Sequence, residues 1–332
     1  MNEAFIPDRF DLKILGQLDS NSKRSNQELA KIYSVAEGTI RYRINKLLHS
    51  GYLSGLYAQT DIARIGLNVY RVFFAFPGID VSKLKSLGEL ILASNPDIRW
   101  CALYDGQYQL GFSVFCSSAQ ELHNKIYNIS SQFSHPATIR AISNTARAYH
   151  FPRSYLLGGR RKLPNNFSLK DIPKLEPIKL DAIDQEILKN ISRTEPDFKF
   201  SRISQSVTKR LNKKITADQI STRLLKLEKT GIITGYSARI DQQVAGYLYY
   251  RLLVLLSVNN EANRTLLEEF CRECKHLTYI CCTSENWDFE LDIEVFTYEE
   301  HRKIIAELFE KLQGGIQECV ELRMLEISRS AA

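Results

Sequence analysis

TIRYRINKLLHSGYLSGLYAQTD, residues 39–61, and QISTRLLKLEKTGIITGYSARID, residues 219–241, are one segment written twice. At a fixed offset of 180, eight of the 23 aligned positions are identical: Ile40/Ile220, Arg43/Arg223, Lys46/Lys226, Leu47/Leu227, Gly51/Gly231, Gly55/Gly235, Ala58/Ala238 and Asp61/Asp241. The repeat continues upstream, where Phe10-Asp11-Leu12-Lys13-Ile14-Leu15 corresponds to Ile183-Asp184-Gln185-Glu186-Ile187-Leu188 at an offset of 173, so the second copy carries seven more residues between the blocks. The proline and charges of RTEPDFKF, residues 193–200, assign that insertion to a loop.

Each copy opens with three helical periods. Leu12, Leu15 and Leu18 mark one apolar face, Leu29 and Ile32 a second, and Ile40, Ile44, Leu47 and Leu48 a third with amphipathic spacing. Ser25 followed by Glu28 makes a capping box for the second helix, and Gly51 suits the position just past the third. The period then changes to that of strands, at Tyr70–Phe76 and Tyr249–Val258. A helix near Val81–Ala93, strands at Ile98–Leu103 and Leu110–Phe115, a helix near Ala119–Phe133 and a strand near Thr138–Ala148 follow. The second copy repeats them at Arg264–Cys274, Leu277–Thr283, Phe289–Phe296, Tyr298–Leu312 and Ile316–Ser328. The expected fold class is α+β: two copies of a helix-turn-helix domain followed by a ferredoxin-like βαββαβ domain. The expected boundaries are 1–60 and 180–240 for the helical domains, 61–150 and 241–332 for the sheet domains, and 151–179 for a linker with four prolines.

At 332 residues the chain exceeds what one hydrophobic core serves, and its 44% hydrophobic content is ordinary for a globular protein. No apolar run reaches eighteen residues and MNEAFIPDRFD has no signal-peptide pattern, so a cytoplasmic address without a membrane partner is expected. Seven irregularly spaced cysteines do not form a disulfide framework. The net charge is +3 over residues 8–60, +2 over 61–150, +5 over 151–179, +5 over 180–240 and −8 over 241–332, so both copies of the opening segment lie in basic regions. The run Arg160-Arg161-Lys162 reads as a solvated connector.

Two helices joined by a short turn, the second basic and amphipathic, fit a helix-turn-helix whose second helix enters the major groove of double-stranded DNA. With Ile40, Ile44 and Leu47 inward, Glu37, Gly38, Thr39, Arg41, Tyr42 and Asn45 form the outer face and are candidate DNA contacts. In the second copy Ile220, Leu224 and Leu227 turn inward; Asp218, Gln219, Ser221 and Thr222 are the candidate contacts, with Leu225 beside them. Thr216 and Gln219 form a capping box, and Lys209, Arg210, Lys213 and Lys214 stand ready to hold phosphates. The repeated Arg43 and Arg223 read instead as structural, pairing with a carboxylate or a helix end.

Asp11-Ile14-Leu15, Arg43-Ile44-Leu47 and Gly51-Tyr52-Leu53-Ser54-Gly55, with Asp184-Ile187-Leu188, Arg223-Leu224-Leu227 and Gly231-Ile232-Ile233-Thr234-Gly235-Tyr236, resemble the motifs of the Lrp/AsnC transcription regulators. The resemblance covers nearly the whole chain apart from the linker, as two members fused. It implies a sequence-specific DNA-binding regulator, homo-oligomers formed through the sheet domains, and a small effector such as an amino acid. Fusion would let one polypeptide act as a pseudo-dimer on a non-palindromic site. Where members commonly have Ser-Pro at the start of the recognition helix, this chain has Ala36-Glu37, which predicts weaker binding by the first unit.

The family's effector site lies near the turn between the second and third strands of the sheet domain. The positions carried over are Asp105, Gly106 and Tyr108 in the first copy and Glu285, Trp287 and Asp288 in the second; Gln109 replaces the usual acid and the second copy lacks the glycine. Cys271, Cys274, His276, Cys281 and Cys282 suggest zinc, but Cys281 and Cys282 are strand neighbours facing opposite ways, so no metal is expected. No phosphate loop or His-Glu-x-x-His occurs and no cofactor is expected. Siroheme decarboxylases share the two-part architecture, yet their Ser-His-Cys-Tyr-like segment is not found, leaving His135, His150, His276 and His301 as candidates by elimination. The expectation is a regulator and not an enzyme; the alternatives are a siroheme decarboxylase-like enzyme on the same architecture, or an assembly or protein-binding module that has lost DNA binding.

Overall fold

The computed structural model describes residues 5–95, 98–135, 137–158, 163–164, 167–170, 176–192 and 198–329. The first copy contains helices α1 (Arg9–Ser20), α2 (Asn26–Tyr33) and α3 (Glu37–His49), strand β1 (Leu53–Thr60) and a 3-10 turn (Ile62–Ile65). Its second part contains β2 (Asn68–Ala75), α4 (Val81–Ser94), β3 (Ile98–Asp105), β4 (Leu110–Cys116), α5 (Ala119–Ser130) and β5 (Ile139–His150). After a connecting turn of helix, α6 (Ser154–Leu157), the second copy gives α7 (Ala182–Ser192), α8 (Phe200–Leu211), α9 (Ala217–Lys229), β6 (Ile233–Ile240) and α10 (Gln242–Ala245). It ends with β7 (Leu248–Leu256), α11 (Glu261–Glu273), β8 (Leu277–Glu285), β9 (Phe289–Val295), α12 (Tyr298–Leu312) and β10 (Ile316–Arg329). Each copy thus has the three helices and the βαββαβ order expected. The strands β1 and β6 are additional; of the loop expected at 193–200, residue Phe200 begins α8, and residues 193–197 and the Arg160-Arg161-Lys162 run lie outside the described residues.

The chain divides into two compact units, and each draws on both copies. The helical unit comprises the described residues of Met1–Ile65, Phe151–Arg161 and Pro177–Gly246. Its two strands pair antiparallel with each other, Leu56 opposite Ala238 and Ala58 opposite Tyr236, so every ladder bond of this sheet joins one copy to the other. The cores interlock in the same way: Ala58 of the first copy is buried among Ile187, Val207, Ile220, Leu224 and Leu227 of the second. Lys23 pairs with Glu228 at 2.6 Å, and the Ser237 hydroxyl donates to Asp19 at 2.9 Å. The connector contributes α6, which packs against α1 where Gly16 has no side chain; a Cβ there would lie 2.7 Å from Leu157.

The sheet unit comprises the described residues of Gly66–His150, Lys162–Glu176 and Tyr247–Ala332. Each copy lays its four strands in the ferredoxin-like order, β3-β4-β2-β5 and β8-β9-β7-β10. The two sheets do not stand alone: β5 pairs with β8 and β10 with β3, closing an eight-stranded barrel from a single chain. Closure gives every edge strand a partner and removes the template for edge-to-edge pairing. The two seams carry matching bulges, at Thr145/Arg147 and Met324/Glu326. One face of each strand packs under the helices, as Val72, Phe74, Phe112 and Val114 do with Leu84, Ile91, Ile126 and Ile129. The other face fills the barrel interior with Phe73, Tyr104, Tyr108, Leu253, Trp287 and Leu322.

The interior also holds charges. Arg71 on β2 donates to Glu290 on β9, to the Tyr279 hydroxyl at 2.8 Å and to Cys281 Sγ at 3.2 Å. Its repeat counterpart, Arg251 on β7, donates twice to Asp292 at 2.7 Å. Each guanidinium lies over an aromatic ring of the opposite copy, Arg71 on Tyr279 and Arg251 on Trp100. Glu290 further accepts from Ser143 and, at 3.1 Å, from Trp287 Nε1. With both signs present and paired, these charges are tolerable in a dry interior.

On the outer side of the barrel, His301 of α12 is fully buried, stacked on Tyr250 at 3.6 Å, with Nε2 2.7 Å from Glu321 of β10. Burial lowers its pKa from the ordinary 6.5, against the raising influence of Glu321; Arg302 on its own helix adds to the lowering. Burial lowers the pKa of His276 likewise. The folded protein then binds fewer protons than the unfolded chain just below pH 6.5, so this stability is complete above 6.5 and is lost as pH falls through that window. Both tryptophans, Trp100 and Trp287, belong to the barrel, so their fluorescence follows its unfolding. The unfolding midpoint is expected to drop between pH 7.5 and 5.5, and H301Q is expected to flatten that dependence.

Candidate nucleic-acid interface

The helix α3 starts at Ala36, which offers no side-chain cap, whereas α9 starts at Thr216 with a full capping box. Between α2 and α3 the turn is Ser34-Val35-Ala36; between α8 and α9 it is the longer Asn212-Lys213-Lys214-Ile215-Thr216. Both turns leave their helix through a left-handed residue, Ser34 at φ 53° and Asn212 at φ 48°. The glycines Gly51 and Gly231, at φ 76° and 72°, end the recognition helices in the same way.

The repeated arginines hold each unit together. Arg43 Nη1 donates to Asp8 at 2.6 Å and to Asp11 at 2.7 Å, and Arg223 Nη1 donates to Asp181 at 2.7 Å and to Asp184 at 2.6 Å. Asp11 and Asp184 are buried, so each needs this cation. The Arg43 hydrogen bond, joined by the backbone N–H of Asp11, holds the Asp8 carboxyl below its usual range. The sequence repeat at these arginines therefore reflects the tie from the recognition helix to the first helix of its own unit.

On α3, Glu37, Gly38, Thr39, Arg41, Tyr42 and Asn45 are all exposed, and Arg41 donates to Glu37 at 2.6 Å one turn away. Ile44 is only partly buried, in contrast to the inward position expected and to its buried counterpart Leu224. On α9, Asp218 and Thr222 are exposed and Ser221 is half-buried, and Lys213 and Lys214 in the turn before it are exposed. Two of the expected base-reading side chains are otherwise engaged. Gln219 accepts from the Thr216 backbone N–H at 2.9 Å as part of the cap, and the Thr222 hydroxyl donates to the Asp218 carbonyl at 2.9 Å.

The residues assigned to an effector play structural parts. Tyr108 and Trp287 are each 5% exposed and pack on Phe73 in the barrel interior, with ring centroids 5.5 and 5.4 Å from it, so neither offers an open face to a ligand. The Asp288 carboxylate accepts from the Leu256 backbone N–H at 2.9 Å and from the Asn259 amide. Gln109, at the matching place, accepts from the Phe76 N–H at 2.7 Å, so acid and amide perform the same loop-closing bond. Gly106 and Glu285 are the turn residues with positive φ, 144° and 91°, and Asp105 and Glu285 are exposed beside them. Motif spacing does not single out the buried pair Arg71 and Arg251, although YRVFFAF and YYRLLVLL each show one arginine inside an apolar strand at the same repeat position.

A winged helix-turn-helix DNA-binding model matches residues 7–54. The chain is 33% identical over 105 residues to an uncharacterised HTH-type transcriptional regulator of Pyrococcus abyssi, covering 31% of this chain and 68% of that one. It is 27% identical over 128 residues to the regulatory protein AsnC of Escherichia coli, covering 38% of this chain and 82% of AsnC. An HTH-type transcriptional regulator of Methanocaldococcus jannaschii is 30% identical over 89 residues, 25% of this chain and 60% of that regulator's length. This is a winged helix-turn-helix protein with a ferredoxin-like partner domain. It belongs to the Lrp/AsnC family, in a tandem duplicated form.

The solved structure of the siroheme decarboxylase NirDL matches 98% of this chain and 93% of its own, with a TM-score of 0.58 and 13% identity. That likeness shows the fold of the whole duplicated chain. It also overturns the expectation that such a chain is not an enzyme, because the same complete architecture occurs in one. Among the described residues no helix is long and apolar enough to cross a membrane.

Proposed function

We propose that the protein is a sequence-specific DNA-binding transcription regulator in which one chain supplies both helix-turn-helix units. The observation that carries this reading is the exposed polar and cationic surface at each recognition helix, Arg41, Tyr42 and Asn45 on α3 and Lys213 and Lys214 in the turn before α9. The two copies are joined within the chain, since β1 pairs with β6 and the barrel closes on itself. Because the two outer faces differ at nearly every position, the site expected is non-palindromic. The effector turns are left out of this reading because their aromatic rings fill the barrel.

Selection from a randomised duplex pool, followed by affinity measurement at 50 and 200 mM salt, tests it. The expected result is a defined sequence whose affinity falls by about a hundredfold or more over that range, because each neutralised phosphate releases counterions. The whole-chain likeness to NirDL favours a second reading, in which the chain acts on a tetrapyrrole. A change in the absorbance of added siroheme, together with no salt-dependent DNA binding, overturns the first reading in favour of the second.

A further inference from the structure

The two helix-turn-helix units have the same scaffold and very different electrostatics. From Ser25 to Ala36, which covers α2 and the turn, the first copy has one acid, Glu28, and one base, Lys31. The matching stretch of the second copy, Lys199 to Thr216, has six bases, Lys199, Arg202, Lys209, Arg210, Lys213 and Lys214, and no acid. All six are exposed, and two of them occupy the lengthened turn directly before α9. In a helix-turn-helix the first helix crosses the phosphate backbone, so this is where cations act on any sequence alike.

The recognition helices show the opposite bias. On α9 the Gln219 Oε1 is taken by the cap, the Thr222 hydroxyl proton by its own helix and Ser221 is half-buried, and the exposed remainder of the candidate face is Asp218 and the 50% exposed Leu225. A leucine offers only apolar contact, which suits a thymine methyl. On α3 the exposed face presents Arg41, Tyr42 and Asn45, and arginine and asparagine are the side chains that make two bonds to guanine and to adenine. The Glu37–Arg41 pair is solvent-exposed, so it is weak enough to exchange for a base.

We propose that the units divide the work of binding DNA: the second grips phosphates through α8 and its turn, and the first reads base edges through α3. This rests on the DNA-binding reading above and adds to it a direction. The second unit supplies affinity for any duplex, and the first fixes where the chain stops. The missing N-cap of α3 and the acid at its start agree with a reading surface that contributes little general affinity.

The test uses the full chain, a random-sequence duplex and the duplex selected from the randomised pool, with two variants at exposed positions. For K209Q/K213Q/K214Q the slope of log affinity against log salt is expected to fall by about 2–3 on both duplexes, roughly 0.9 for each phosphate no longer neutralised, while the selected sequence stays the same. For R41A/N45A the slope is expected to stay that of the wild type, while the preference for the selected over the random duplex drops by about tenfold or more. An unchanged slope in the triple variant, or a slope lost equally in R41A/N45A, overturns the division but leaves DNA binding intact. Wild-type chain that binds neither duplex at 50 mM salt overturns both.

Discussion

Replacing Arg71 with methionine is expected to destabilise the barrel by about 3–5 kcal/mol, the cost of leaving one member of a buried ion pair without its partner. Glu290 is fully buried, and after the change its charge is met only by Ser143, Trp287 and the more distant Arg251 at 3.8 Å. Arg251 is itself committed to Asp292, so Glu290 is left without a cation of its own. Tyr279 and Cys281 lose their shared donor as well. Guanidinium titration followed by tryptophan fluorescence reads the loss, because both tryptophans are in the barrel. The double variant R71M/E290Q is expected to recover part of it, since removing both members removes the uncompensated charge. A single variant as stable as the wild type would show that water reaches Glu290.

The periodicities that mark the helices and strands are local, and they are legible within one or two residues at most boundaries. Tyr298–Leu312 is the clearest example, matching α12 at both ends. What could not be read is the pairing between the copies. The strands β1 and β6 belong to the very repeat that identified the duplication, but LSGLYAQT alternates poorly and has a glycine inside it, so nothing local marks it as a strand. Its partner is 180 residues away and is its own second copy. Barrel closure escaped for the same reason: β5 and β10 look like the last strands of separate sheets until β8 and β3 are seen beside them.

The candidate site was legible as a surface and not as a set of bonds. Alternating burial on α3 and α9 exposes nearly all the side chains named from spacing, yet spacing does not show that Gln219 and Thr222 are already bonded. At the effector turns the family pattern does not show where the aromatic rings point. A tyrosine and a tryptophan within three residues of an acid look like a ligand cage in one dimension. In three dimensions those rings turn inward, where they fill the barrel against Phe73.

The turn glycine of that pattern leads to the second large effect. Gly106 is expected to tolerate no side chain: G106A should cost about 2–4 kcal/mol in barrel stability, combining left-handed backbone strain with a clash. Its φ is 144°, and a Cβ would lie 2.9 Å from the Glu321 carbonyl oxygen and 3.0 Å from Leu322 Cδ2, both on β10. Backbone cannot yield there without opening the β3–β10 seam, one of the two seams at which the barrel joins the copies. Trp100 lies on β3 in that seam, opposite Arg329, so its emission should report the opening directly. The matching residue at the other seam, Glu285, already carries a side chain at φ 91°, and there the reverse change is expected to help. E285G relieves the strain, with a gain of about 1 kcal/mol in the same unfolding measurement. Opposite signs for the two substitutions would establish that glycine is kept at the first turn by the approach of β10; a loss for both would mean that the turns depend on their side chains.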